Sequence, residues 1–235
     1  MYRYTASRMA VVLGIAFFLC LPGLHANVQK ELGLSIRGEY NRVFSPSGDV
    51  SLFGAIGLND WYTFRSGLAM GHLDNTTEIK AFGSGHAALP FSVIPLHVNL
   101  AYKYYGLPGA AYNLHTHSLL PSVALNGRRA GLELGISFRF TSFFGEASIF
   151  EPALAFSGYV NLIHNERVRI GLSCANFNDF YMGNMGAYSF RIHSDIYVTS
   201  QWTLAFELEL LQSGGGGLTS AFYGIAYRGG MKLAW

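Results

Sequence analysis

The sequence predicts an all-β fold: a single antiparallel transmembrane β-barrel of about twelve strands, ten or eight being the alternatives, over residues 27–235 after a cleaved leader at 1–26. Three observations carry this expectation. Apolar and polar side chains alternate with a period of two in stretch after stretch, the connections alternate in length, and an export signal stands at the N-terminus. A strand with lipid on one side and a polar lumen on the other has to alternate in this way.

Export comes first along the chain. Arg3 and Arg8 give a positive start, Ala10 to Leu21 an apolar run, and Leu24-His25-Ala26 a small-residue cleavage site, which is the layout of a signal peptide. That run is too short to span a bilayer, which takes ~20 apolar residues, and no later stretch approaches the length, so a helical membrane protein is excluded. Lipid attachment at Cys20 is disfavoured by the bulky Phe17, Phe18 and Leu19 before it. Losing the leader removes Arg3 and Arg8, and with them the formal excess of +2, so no basic surface is left for a nucleic-acid partner. Cys174 is then the single cysteine, which excludes an intramolecular disulfide and a cysteine-built zinc site. The sequence is 50% apolar and 13% charged, a balance that suits strands facing lipid between aromatic girdles.

The first strand, 31–40, sets Leu32, Leu34, Ile36 and Tyr40 against Glu31, Gly33, Ser35, Arg37 and Glu39. Turn residues at 41–49 end it. The second, 50–58, turns Val50, Leu52, Ile56 and Leu58 outward, and the third, 61–71, does so with Tyr62, Phe64, Leu68 and Met70; only Asn59-Asp60 lies between them. The fourth, 77–88, has the weakest pattern, its apolar side being mostly Ala and Gly opposite Glu78, Lys80, Phe82 and His86. In the fifth, 95–105, Leu96, Val98, Leu100, Tyr102 and Tyr104 face out while His97, Asn99 and Lys103 face in. Pro121 cannot donate to a ladder, so the sixth strand, 115–125, is expected to bulge there, which leaves His115 and His117 without an assigned side.

Asn126-Gly-Arg-Arg is a hairpin signal. The seventh strand after it turns Ala130, Leu132, Leu134, Ile136, Phe138 and Phe140 outward, with Glu133 and Arg139 inward. The eighth, 152–162, and the ninth, 167–175, expose Leu154, Phe156, Val160, Leu162, Val168, Ile170, Leu172 and Cys174. A loop containing Gly, Asn and Met, 176–186, precedes the tenth strand, 187–199, which Ser200-Gln201 joins to the eleventh, 202–212. The last strand, 220–235, sets Ala221, Tyr223, Ile225, Tyr227, Gly229, Met231, Leu233 and Trp235 against Phe222, Arg228 and Lys232. Summed over the strands, the charged residues expected to line the lumen are Arg37, Glu39, Arg65, Lys103, Glu133, Arg139, Arg167, Arg169, Arg191, Asp195, Glu207, Glu209, Arg228 and Lys232.

With this ending, the chain resembles the bacterial outer-membrane β-barrel superfamily, whose last strand closes on an aromatic residue with apolar residues at odd offsets behind it. The resemblance rests on Tyr227, Met231, Leu233 and Trp235, with Trp in place of the usual terminal Phe. It implies that these four form the signal read by the barrel-assembly machinery, and that the partner along the wall is outer-membrane lipid. It also implies that the short connections and both termini are periplasmic and the longer loops, 176–186 among them, external.

Catalytic constellations are weak. His193 and Asp195 share a face, as an Asp–His pair of the omptin protease type would, but in reversed order, at mid-lumen depth and with no second acidic pair. His117 and Ser118, within His115-Thr-His-Ser, alternate onto opposite faces, where a barrel resembling the outer-membrane phospholipases would need them together. No catalytic residue is assigned, nor any cofactor. His115 and His117 lack a third metal ligand, so no metal is assigned, and glycines 214–217 lack the Lys-Ser/Thr of a phosphate cradle. The function expected is a passive channel for small hydrophilic solutes with a mixed-charge, near-neutral lumen. The alternatives are a structural or surface-interaction barrel with a plugged lumen and, more distantly, a barrel hydrolase.

Overall fold

A computed structural model describes residues 28–41, 46–58, 61–73, 76–89, 95–109, 113–143, 149–180, 187–213 and 221–235. The leader, Asn59-Asp60 and glycines 214–217 lie outside them. Twelve strands follow in chain order: β1 (Val28–Asn41), β2 (Ser47–Leu58), β3 (Tyr62–Leu73), β4 (Thr76–Ala88), β5 (Leu96–Leu107), β6 (Leu114–Asn126), β7 (Ala130–Phe143), β8 (Ile149–His164), β9 (Val168–Ala175), β10 (Ala187–Tyr197), β11 (Trp202–Ser213) and β12 (Ala221–Ala234). Each pairs antiparallel with its chain neighbours, and β1 closes on β12 from Glu31↔Ala234 to Asn41↔Gly224. Trp235 extends this seam, its N–H donating to the Lys30 carbonyl and its carbonyl accepting from Lys30 N–H, both at 3.0 Å. Closure leaves no open edge, the condition for crossing lipid with strands.

The outer face is a continuous apolar belt. Leu34, Val50, Phe64, Leu100, Leu134, Leu154, Leu172, Ile192, Phe206 and Met231 are all exposed, one from almost every strand. The pattern-poor β4 is a complete strand, with Glu78, Lys80 and Phe82 buried on its inner side. The chain's three tryptophans, Trp61, Trp202 and Trp235, are exposed, and all stand at the end of the barrel that carries the termini.

Two expectations about side-chain phase and one about a strand end need correction. Pro121 makes no bulge. The β5–β6 register runs unbroken from Leu96↔Leu125 to Leu107↔Leu114, and Pro121, which lacks an N–H, sits exposed opposite Leu100. His115 and His117 therefore share the outer face with Leu119, Val123 and Leu125. A bulge lies instead in β12, where Leu211 faces Gly224 and Gln212 faces Phe222, so Tyr223 is the extra residue. The slip reverses the start of the strand: Phe222 is exposed and Tyr223 lines the inner cavity, the opposite of strict alternation. Finally, β10 ends at Tyr197, and Val198 belongs to the turn into β11.

The placement of the tryptophans is directly testable in reconstituted vesicles. Lipids brominated near the headgroup should quench the protein's tryptophan emission more strongly than lipids brominated near the chain ends. Stronger quenching by chain-end bromines would contradict a single interfacial Trp girdle.

Candidate functional site in the barrel lumen

The inner wall is polar because the residues alternating with the belt are Ser, Asn, Gly and charged groups. Thirteen of the predicted lumen residues occupy inward strand positions: Arg37, Glu39, Arg65, Lys103, Glu133, Arg139, Arg169, Arg191, Asp195, Glu207, Glu209, Arg228 and Lys232. Arg167 does not. It lies in the Asn165–Arg167 turn between β8 and β9, exposed, where Asn165 Oδ1 accepts from its backbone N–H.

Towards the loop end, Arg37 reaches Glu39 at 2.7 Å and Glu209 at 3.2 Å, and Arg191 reaches the other Glu209 oxygen at 2.9 Å. Lys80 bridges Asp49 at 2.9 Å and Glu78 at 2.7 Å. At the terminus end, Asp195 pairs with Arg169 and with Lys232, the latter at 3.5 Å. Glu133 accepts from Asn99 Nδ2 at 2.9 Å and from Ser122. Arg139 pairs with Glu151 at 2.7 Å on the inner side of β7 and β8. A charge facing a confined lumen is costly unless partnered, and this wall partners most of its charges across strands.

Of the 176–186 connection expected to be external, the described residues 176–180 turn into the barrel, and 181–186 lie outside the described residues. Asn176 makes the turn. Its backbone N–H donates to the Phe156 carbonyl at 3.1 Å, its Oδ1 accepts from Phe156 N–H at 2.8 Å, and its Nδ2 donates to the Leu154 carbonyl at 2.7 Å. The amide side chain thus continues the β8 ladder after the backbone has departed from it. Asn178 Oδ1 accepts from Phe180 N–H at 2.9 Å and tightens the next turn.

Residues 176–180 then cross the bore. Near the start, Phe177 packs by Leu120, Ala155 and Ala101, its carbonyl accepts from Arg191 at 2.9 Å, and the Lys103 ammonium sits 4.9 Å above its ring. Lys103 also donates to the Asn178 carbonyl. At the far side, Asp179 forms a two-bond fork with Arg65, 3.2 and 3.0 Å, and Phe180 meets Phe82 edge to face, centroids 4.9 Å apart, beside Ala69 and Phe53. Strands β3 and β4, which supply these contacts, lie six places round the ring from β9 and β10. Gly67 makes room: a Cβ there would stand 2.5 Å from the Phe82 ring and 3.0 Å from the Leu52 carbonyl. Two phenylalanines in a stretch without strand alternation are the sequence signal that could have revealed the inward path. Above the crossing, a cavity of about 210 Å³ is walled by Arg37, Glu78, Lys80, Arg191 and Glu209 and floored by Asn176 to Asn178.

The histidine constellations do not assemble. His193 Nε2 lies 3.4 Å from Asn161 Oδ1, while Asp195 is held by Arg169 and Lys232. His117 is on the outer face, its Nδ1 2.7 Å from the Tyr102 hydroxyl, whereas Ser118 is buried on the inner face. His115 bonds Tyr104 at 2.8 Å and Asn113 at 3.1 Å.

No protein-family model matches the sequence, and no curated protein resembles it in sequence. Its structure, however, is similar to several solved barrels. The translocator domain of the autotransporter NalP from Neisseria meningitidis aligns with TM-score 0.54 at 12% identity, covering 97% of this chain and 95% of that one. The NanC porin aligns with TM-score 0.55 at 11% identity, over 85% and 98%. The KdgM porin, solved in complex with disordered oligogalacturonate, aligns with TM-score 0.54 at 9% identity, over 86% and 99%. The chain thus has the fold of the bacterial outer-membrane β-barrels, closed at twelve strands with an apolar outer belt.

Proposed function

We propose that this barrel is a passive channel for small hydrophilic solutes whose bore is narrowed by residues 176–180. The observation that carries the reading is the vestibule of about 210 Å³ above the crossing segment, with Arg37, Glu78, Lys80, Arg191 and Glu209 in its wall. Both signs of charge line the wall, so simple ions are weakly discriminated. Two of the similar structures are named porins, which agrees with the reading. The Phe180, Phe82 and Phe53 contact across the bore favours a second reading, a barrel plugged by its own segment that serves as a structural or surface-interaction element. No catalytic role is assigned to either histidine pair. The terminal residues Tyr227, Met231, Leu233 and Trp235 are proposed as the signal for the assembly machinery, with Trp235 also extending the closing seam.

Planar-bilayer recordings separate the two readings. Discrete conductance steps are expected of the refolded protein, and the Phe177→Ala/Phe180→Ala double variant should raise the step size several-fold by freeing the crossing segment. Silence of both proteins at every voltage and salt concentration would leave the plugged barrel in place of the channel.

Deletion of Trp235 tests the assembly role separately. Barrel levels in the outer membrane should fall markedly in cells, while refolded protein lacking Trp235 should keep the wild-type step size. Normal membrane levels of the truncated protein would overturn the role.

A further inference from the structure

We infer that Asp179 is a tethered stand-in for a carboxylate solute: its side chain fills an anion site in the bore built on the Arg65 guanidinium with Lys103, Arg191 and Arg228 around it. The inference deepens the channel reading by naming the solute class that the constriction recognises, yet the binding it asserts does not require conduction.

The geometry is that of carboxylate recognition. Arg65 Nη1 and Nη2 each donate to a different Asp179 oxygen, at 3.2 and 3.0 Å, the paired bonds by which a guanidinium grips a carboxylate. Lys103, Arg191 and Arg228 act on the same carboxylate through space. Lys103 and Arg191 are held in place by the segment's own backbone, through the carbonyls of Asn178 and Phe177.

The origin of the charges matters more than their number. The four cations belong to wall strands β3, β5, β10 and β12, whereas Asp179 belongs to the crossing segment. Two wall carboxylates are committed elsewhere, Glu133 to Asn99 and Ser122 and Asp195 to Arg169 and Lys232, while Glu209 is shared by Arg37 and Arg191 and Glu207 lies opposite Arg228. The Nε of Arg228 is buried and has no hydrogen-bond partner among the described residues. Take Asp179 away, and Arg65 loses its carboxylate partner beside Lys103, whereas Arg191 keeps Glu209 and Arg228 still faces Glu207. A free carboxylate would restore the lost charge balance there.

Access is open. The side chains of Arg65 and Asp179 retain 32% and 39% of their surface, against 5% for Glu209 in the vestibule wall. Solvent therefore reaches the fork, and an entering carboxylate competes with Asp179 for Arg65. A tethered competitor acts at an effective concentration in the millimolar range or above, which weakens the apparent affinity for any free ligand.

The test uses acetate as the probe and acetamide as its uncharged isostere. The refolded full barrel, labelled with ¹⁵N in micelles, is titrated while the Arg65 Nε–H resonance is followed. Asp179→Asn should bind acetate about tenfold more tightly than wild type, since the tethered competitor is gone. Acetamide should leave the resonance unmoved, and the Asp179→Asn/Arg65→Gln double variant, followed at the Lys103 and Arg228 signals, should show no saturable acetate binding. Equal acetate affinity in wild type and Asp179→Asn, or an equal response to acetamide, would overturn the inference. If Asp179→Asn fails to fold, the wild-type titration still decides: acetate at high concentration must shift the Arg65 signal where acetamide does not, and identical responses refute the site. A barrel that binds acetate but never conducts would refute the channel alone.

Discussion

The constraint on which the structure depends is that no backbone N–H or C=O may face lipid without a partner. In a sheet this is met only by closure, and the seam between β1 and β12, carried on to Lys30 and Trp235, is where closure is achieved. Everything else follows from it. A closed ladder fixes which side chains point out, so the alternation of Leu34, Ile36 and Tyr40 with Ser35, Arg37 and Glu39 becomes a partition between hydrocarbon and lumen. Twelve strands also set the bore, which is wider than wall side chains alone can fill.

The chain answers that width by sending part of itself inside. Asn176 is the hinge of this arrangement, because its amide supplies the β8 ladder with the donor and acceptor that the departing backbone no longer offers. The crossing is fastened in two chemically distinct ways. Phe180 docks in the patch made by Phe82, Ala69 and Phe53, while Asp179 and the carbonyls of Phe177 and Asn178 engage the cations of the wall. Apolar contact holds the segment to one part of the wall, and ion pairs and hydrogen bonds hold it to others. Those two kinds of contact occur together only in a barrel whose inner wall mixes aromatic and charged residues.

Much of this was legible in the sequence, for a physical reason. Strand count and side assignment follow from a period-two pattern that lipid enforces on one face, so even the Ala- and Gly-rich β4 was placed by its inward Glu78, Lys80 and Phe82. What the pattern could not report are the places where one residue is gained in a ladder. Tyr223 is such a residue, and nothing in its neighbours marks it, whereas Pro121, which does look like a breaker, merely presents its missing donor where the register tolerates it. Arg167 fell on the wrong side of a strand boundary by one residue. The crossing segment carried only the hint of Phe177 and Phe180, and its route was illegible for a different reason: a loop's path depends on long-range partners, here Arg65 and Phe82 on the opposite wall, which no local periodicity encodes.

The central claim is that residues 176–180 traverse the bore to the β3–β4 wall. It is tested most directly by joining Phe180→Cys to Ala69→Cys with a short bismaleimide in a Cys174→Ser background, positions that belong to one apolar cluster across the lumen. Near-complete cross-linking in the folded barrel, abolished by unfolding before the reagent is added, is the result this structure predicts. A folded barrel in which both thiols react with the reagent but never with each other would contradict it.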